Sequence, residues 1–341
     1  MLFLCTLLHL AVDGVCGAAL AAYAVQEPDF ANIVYHFHLY SLIAFGGQWL
    51  TGWALDRKMN WILPGLALVP LLLGLGVMPG FGILAQAVLL GVGNCVFHVA
   101  AGIMILRRYP NYTGPGVFVS SGAIGLGLGI NRICGAAFFL CLCIAAALSL
   151  IFCELRKNPS LKIGETEAAG AGEKEAKTSS ASLSWASAGA GILLLLCVTL
   201  RGFGGAGGVS YHAMLLPCAF AAGKALGGVC CDAIGYRRTI AFIFILSFAA
   251  LELPFLPLRG VGDWLSPLLL ALAFNMTMPL TLRLLHGCCP ACPGLMFGLA
   301  AGCLLPGAFW RESLAVLPQI MIVVQFLSLF LAGAIVRRAG V

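Results

Sequence analysis

A few ionisable and amide side chains stand inside long apolar runs, and their types and spacing can do chemistry. His9 and Asp13 lie four residues apart in the first run, so on a helix they share one face. A carboxylate beside an imidazole can take up and pass on a proton; a fixed, hydrogen-bonded buried pair is the competing use. Asn94 and His98 repeat the four-residue spacing in a later run. They suit contact with a substrate or proton, or polar glue between helices. Arg201 offers a planar fork that grips anionic groups, or snorkels outward. Gln48 and Lys224 each precede an aspartate, Asp56 and Asp232, by eight residues. Asn275 stands in one of the last runs. At the centre of a bilayer a charged side chain costs about 2.5–3.5 kcal/mol on insertion scales, so each such residue is a functional candidate.

The elements that must position them are set by composition. Of 341 residues, 61% are hydrophobic and 9% charged, with mean hydropathy +1.01. Soluble domains carry about 25% charged residues, so soluble classes and nucleic-acid binding are excluded. Apolar runs of about 20 residues match a hydrocarbon core of about 30 Å. They lack the alternation and brevity of barrel strands. The expected fold class is therefore all-α integral membrane, with a lipid bilayer as solvent. Most of the 15 cysteines lie in these runs as small hydrophobes. They do not suggest a disulfide framework.

Twelve helices are expected in two pseudo-symmetric six-helix halves. Residues 1–153 form the first half, 154–184 a flexible cytoplasmic linker rich in Glu, Lys, Ala, Gly and Ser, and 185–341 the second half. The first helix lacks a basic leading segment and contains His9 and Asp13, which argues against a cleaved signal. With both termini cytoplasmic, 14 of the 19 Lys and Arg fall in inner loops, against Arg132, Arg259 and Arg311 outside and Arg201 and Lys224 within helices. That is the positive-inside bias, and it places the chain in the cytoplasmic membrane.

Two charged turns mark the duplication. Gly52, Asp56 and Arg57 in the first half correspond to Gly228, Asp232, Gly235 and Arg237 in the second, the aspartates 176 residues apart. Asn94 pairs with Asn275, Pro115-Gly116 with Pro293-Gly294, and Asp13-Gly14 with Arg201-Gly202, at offsets of 181, 178 and 188. An aspartate beside arginines and the N-terminus of another helix can hold an inter-helix contact.

These turns resemble the Gly-x-x-x-Asp-Arg-x-Gly-Arg-Arg loop motif of the major facilitator superfamily. The second keeps Gly228, Asp232, Gly235 and Arg237, with Ala233 and Tyr236 in place of two arginines. The first keeps Gly52, Asp56 and Arg57, then departs at Met59, Asn60 and Trp61. Gly93 to His98 and the His9-x-x-x-Asp13 start are similar to a bacterial branch near the fosmidomycin-resistance exporters. The resemblance implies a secondary transporter working by alternating access, with a cavity lined by the first, fourth, seventh and tenth helices. It also implies turn contacts that stabilise the outward-facing state.

The expected function is proton-coupled movement of a small organic solute, with Asp13 and His9 carrying the proton. Asn94, His98, Arg201, Asn275, Gln48 and Lys224 are the substrate-cavity candidates. Their charges lean toward an anionic or zwitterionic solute. A monomer is expected, with no cofactor, no metal and no catalytic residue. The alternatives are a non-transporting sensor or scaffold, and a membrane enzyme built on Cys288, Cys289 and Cys292. The latter three hold a single Cys-x-x-Cys spacing, a weak zinc signal. Tyr35, His36, His38 and Tyr40 read as interfacial aromatics, with a metal site as the alternative, and Glu252 as an interfacial acid, with a coupling site as the alternative. No phosphate-binding loop is present, which argues against ATP coupling.

Overall fold

The computed structural model describes residues 1–157, 185–203, 214–256, 260–310 and 318–338. Residues 158–184, most of the expected linker, lie outside them. So do the expected helix ends at 204–207 and 211–213, and Lys162, Lys174, Lys177, Arg259 and Arg311. The regular elements are α1 (Leu2–Gln26), α2 (Phe30–Ser41), α3 (Gln48–Arg57), α4 (Ile62–Val77), α5 (Ile83–Arg108), α6 (Thr113–Ile130) and α7 (Ala136–Lys157). They continue with α8 (Trp185–Phe203), α9 (Leu215–Ile234), α10 (Tyr236–Glu252), α11 (Val261–Cys288), α12 (Pro293–Gly302), α13 (Leu305–Trp310) and α14 (Pro318–Arg338).

Among the described residues, eleven helices are long and apolar enough to cross a membrane. Phe30–Arg57 is a further, continuous helical stretch, which a π turn at Leu42–Gly46 splits into α2 and α3. Helices dominate because lipid offers no partner for a free backbone amide. The chain is a multi-pass membrane protein.

Several boundaries differ from the sequence reading. The polar turn expected from Asp232 to Arg238 contracts to one residue, Gly235, at φ 85°. Asp232 ends up in the last turn of α9, while Arg237 and Arg238 sit in the first turn of α10. The loop expected from His286 to Pro293 contracts to four residues between α11 and α12. The single helix expected over 294–309 breaks at Cys303 and Leu304 into α12 and α13. In each contraction, helical hydrogen bonding continues into polar residues, which need no apolar face once the helix leaves the hydrocarbon.

Packing uses small residues. On α6, a Cβ at Gly125 would overlap the Leu10 carbonyl of α1, so the two backbones touch, as small residues allow in membranes. α9 packs on both α6 and α11, and α3 packs on α12 and α5. These contacts bring the polar residues of α1, α3, α5, α8 and α9 to one central cavity.

Candidate functional site

His9 is almost fully buried, its ring tilted against Phe97 and Phe118 and edge-on to His98. Its Nδ1 bonds the Phe118 carbonyl at 2.8 Å. His98 Nδ1 bonds the Asn94 carbonyl, one turn back on α5, at 2.9 Å. The two Nε2 atoms face each other at 2.9 Å. Asp13 closes the group, one carboxylate oxygen 3.3 Å from His9 Nε2 and the other 3.7 Å from His98 Nε2. Asn94 Nδ2 donates to Asp13 at 3.0 Å and lies 3.8 Å from the Cys16 sulfur. The ligand atoms of His9, Asp13 and His98 all fall within 4.8 Å of one another, close enough to share one cation.

Gly122 makes room for this group. A Cβ there would overlap both Asp13 Oδ2 and His9 Nε2. Sequence reasoning missed Gly122, since it is one of many glycines on α6. Its place opposite His9 follows only from how α6 rotates against α1.

The group borders a cavity of about 620 Å³ whose lining includes His9, Asp13, Gln48, His98, Arg201 and Lys224 among mostly apolar side chains such as Phe45, Phe220 and Phe297. That volume suits a small organic ligand. Gln48 is fully buried, and its Nε2 donates to the Ala44 carbonyl in the π turn at 2.6 Å. Its Oε1, like Oδ1 of Asn94, finds no hydrogen-bond partner among the described residues. Arg201 is 7% exposed, with Nη1 3.4 Å from the Thr281 hydroxyl. Lys224 lies within electrostatic reach of Asp13 and Arg201. Among the described residues, neither cation forms an ion pair; the ion pairs there are His9–Asp13, His98–Asp13 and Lys157–Glu154. Asn94 sits behind Asp13 rather than on the cavity lining. Asn275 is not on the lining either: its amide donates to Ala271 O at 2.7 Å, and its Cβ faces Gly223 of α9.

In both charged turns the aspartate caps the N-terminus of a helix distant in sequence. Helix α12 opens with Pro293, which has no N–H to leave unsatisfied, and its N-cap Cys292 supplies no side-chain bond. Asp56, at the end of α3, fills that role from outside, accepting from Gly294 N at 2.9 Å and Leu295 N at 2.8 Å. The N-cap of helix α6, Tyr112, likewise supplies no side-chain bond, although Asn111 Oδ1 accepts from Gly114 N at 3.1 Å. Asp232 of α9 accepts from Tyr112 N at 3.0 Å, Thr113 N at 2.7 Å and the Thr113 hydroxyl at 2.5 Å. Each carboxylate sits at the positive end of a helix dipole. The glycine four residues earlier explains the approach. A Cβ at Gly52 would overlap the Gly294 carbonyl, and one at Gly228 would come 2.5 Å from the Tyr112 carbonyl. The Gly-x-x-x-Asp spacing thus pairs a contact point with a cap on one helix face.

The basic members of the turns do other things. Arg57 lies over the Trp53 ring at 3.8 Å. Arg237 is exposed at the start of α10. Tyr236, where the motif has an arginine, is buried and donates to Leu329 O of α14 at 2.6 Å, with Arg337 over its ring at 5.0 Å.

The remaining candidates do not gather into a site. His36 bonds the Tyr23 hydroxyl at 2.8 Å, and His38 meets the Phe309 ring edge-on. Glu252 is exposed at the end of α10. Burial pushes the Cys292 thiol up to about 11, so little thiolate, the nucleophilic form, exists there near neutrality.

No protein-family model matches the sequence, and no curated protein matches it. The fold does have counterparts among solved structures. One is a crystal structure of a bacterial homologue of the iron transporter ferroportin in the outward-facing state, with TM-score 0.61 and 13% identity over 99% of this chain and 98% of that one. Another is the same kind of protein in the same state with soaked iron, with TM-score 0.61, 12% identity and the same coverage. At this identity the likeness concerns the fold. The comparisons offer nothing for the fosmidomycin-type branch or for an anionic solute.

Proposed function

We propose that the chain is a secondary active transporter of the major facilitator type. It moves a small organic anion across the cytoplasmic membrane by alternating access, coupled to protons through Asp13 and His9. One observation carries the reading: Arg201 and Lys224 line one cavity and neither forms an ion pair among the described residues, the one carboxylate on that lining, Asp13, being held by His9 and His98. A buried unpaired charge is costly, and an anionic ligand would satisfy both. The apolar walls suit a carbon skeleton. Acting as latches, the two aspartate caps supply what alternating access needs, contacts that hold one side shut and can break.

The division at 153 and 185 into two six-helix halves belongs to the same proposal. It is supported by the matched latches, each joining the first half to the second. The iron named for the neighbouring structures is the natural competitor. His9, Asp13 and His98 are close enough to share a cation, but Arg201 and Lys224 outnumber the single carboxylate on the cavity lining and oppose a divalent cation there, which favours the anion.

The test is a thermal-shift screen of anionic, zwitterionic and cationic solutes and ferrous iron on the purified chain, then flux in proteoliposomes with and without a proton gradient. Stabilisation by organic anions and gradient-dependent accumulation are expected. Iron flux with no response to organic anions would overturn the solute class. Ligand binding with no flux would favour a sensor or scaffold.

A further inference from the structure

We infer that the coupling proton is held between two imidazoles, His9 Nε2 and His98 Nε2, with Asp13 as its counter-charge. This rests on the transport reading above and assigns His98 a role that Asp13 and His9 alone do not supply.

The argument is one of hydrogen-bond accounting. A carbonyl oxygen only accepts. His9 Nδ1 faces the Phe118 carbonyl at 2.8 Å, so it carries a hydrogen. His98 Nδ1 faces the Asn94 carbonyl at 2.9 Å, so it carries one too. In the neutral imidazole the other nitrogen is then a bare acceptor. Both Nε2 atoms are therefore acceptors, yet they face each other at 2.9 Å, a distance typical of a hydrogen bond. Two lone pairs repel at that range unless a cation lies between them. One proton satisfies both, making an imidazolium–imidazole pair with one net positive charge. The Asp13 carboxylate, 3.3 and 3.7 Å away, balances that charge, and Asn94 Nδ2 orients the carboxylate.

The surroundings fit a single mobile charge. From α1 come Asp13 and Cys16; from α2, Tyr40; from α9, Lys224, which acts on both Asp13 and His98. α6 adds no titratable group where it meets the pair, only the Phe118 carbonyl and the gap at Gly122. Since His9 and His98 come from α1 and α5, the shared proton also ties those helices together. Asp13 is the adjacent acceptor: moving the proton onto its carboxylate leaves the two Nε2 lone pairs opposed, and the imidazoles must part. An anion entering beside Lys224 would compete with Asp13 for positive charge, which links solute arrival to proton movement.

The experiment is nitrogen NMR of the full chain in nanodiscs with 15N-labelled histidine, near neutral pH and without solute. The wild type is expected to show an Nε2–Nε2 coupling through one shared proton, with both Nδ1 atoms protonated. In His98→Gln the coupling vanishes and His9 Nε2 reverts to a bare acceptor. Two neutral imidazoles without a shared proton in the wild type would overturn the inference. So would a signal that EDTA abolishes and zinc restores, since the cation would then be a metal.

In proteoliposomes, gradient-driven accumulation should fall at least ten-fold in His9→Gln and in His98→Gln, and no further in the double variant. Accumulation within two-fold of wild type in folded His98→Gln would overturn it. The wild-type spectrum needs no variant and no gradient. A chain with the shared proton but no gradient-dependent flux refutes the transport reading alone.

Discussion

Removing the Asp56 carboxylate should loosen one helix end by an amount that its bonds determine. Asp56 accepts from Gly294 N at 2.9 Å and Leu295 N at 2.8 Å, the free amides in the first turn of α12. Losing an N-cap acceptor costs about 0.5–2 kcal/mol. Charged acceptors are stronger than neutral ones, but the carboxylate is only part-buried, and residual solvent screening weakens its electrostatic share. About 1–2 kcal/mol results for Asp56→Ala, a factor of about 5–30 in the open population.

Hydrogen exchange of the Gly294 and Leu295 amides reads that population directly. Exchange in Asp56→Ala should accelerate about 5–30-fold by the same conversion. Asp56→Asn keeps one neutral acceptor and should show a smaller rise. Tyr112 and Thr113, capped by Asp232, are the internal comparison: a matching rise there means that the two latches open together. Exchange at Gly294 and Leu295 unchanged within two-fold in Asp56→Ala would refute the capping argument. Asp232 holds three bonds to the two of Asp56, so Asp232→Asn should impair flux more than Asp56→Asn.

Three further outcomes are expected. Gly122→Ala inserts a methyl where Asp13 and His9 already sit. It should cost about 1–3 kcal/mol of stability, as overpacking does, and reduce gradient-driven accumulation at least five-fold; normal accumulation would mean the pair has slack. Arg201→Gln removes a buried cation with no carboxylate partner among the described residues, so thermal stability without solute should hold or rise. Stabilisation by organic anions should weaken at least ten-fold in affinity, about 1.4 kcal/mol; an unchanged anion response would remove Arg201 from the site. Asp13→Asn should abolish the dependence of flux on the proton gradient, and flux with unaltered pH dependence would end the relay proposal.

Much of this fold was legible because lipid leaves a blunt signature: long apolar runs with basic residues between them. The pairs His9–Asp13 and Asn94–His98 were legible too, since four-residue spacing fixes a shared face. The way those pairs meet was not. In a helix apolar all round, nothing in the sequence distinguishes the face toward lipid from the face toward another helix. The rotations that bring His98 to His9, Gly122 to Asp13 and Asp56 to Gly294 are therefore hidden. Asn275 illustrates the converse. Its alignment with Asn94 was visible, but its side chain bonds its own helix and leaves the cavity to others. Helix ends were misread wherever polar residues continued a helix, as at Arg237, Arg238 and His286.

The π turn at Leu42–Gly46 carries a consequence for which lengths this chain can have. Such a turn bonds i to i+5, so it absorbs one residue without rotating the helix beyond it. An α-helix of 3.6 residues per turn rotates about 100° for each residue added or lost. Deleting Leu42 from the widened turn should restore an ordinary helix and leave Gln48, Gly52 and Asp56 on their present faces. Deleting Leu50 should swing Gly52 and Asp56 away from α12. The first deletion is expected to yield folded, monodisperse protein and the second is not. The widened turn is then a swallowed insertion, a place where this span could gain or shed a residue while its far end stayed in register.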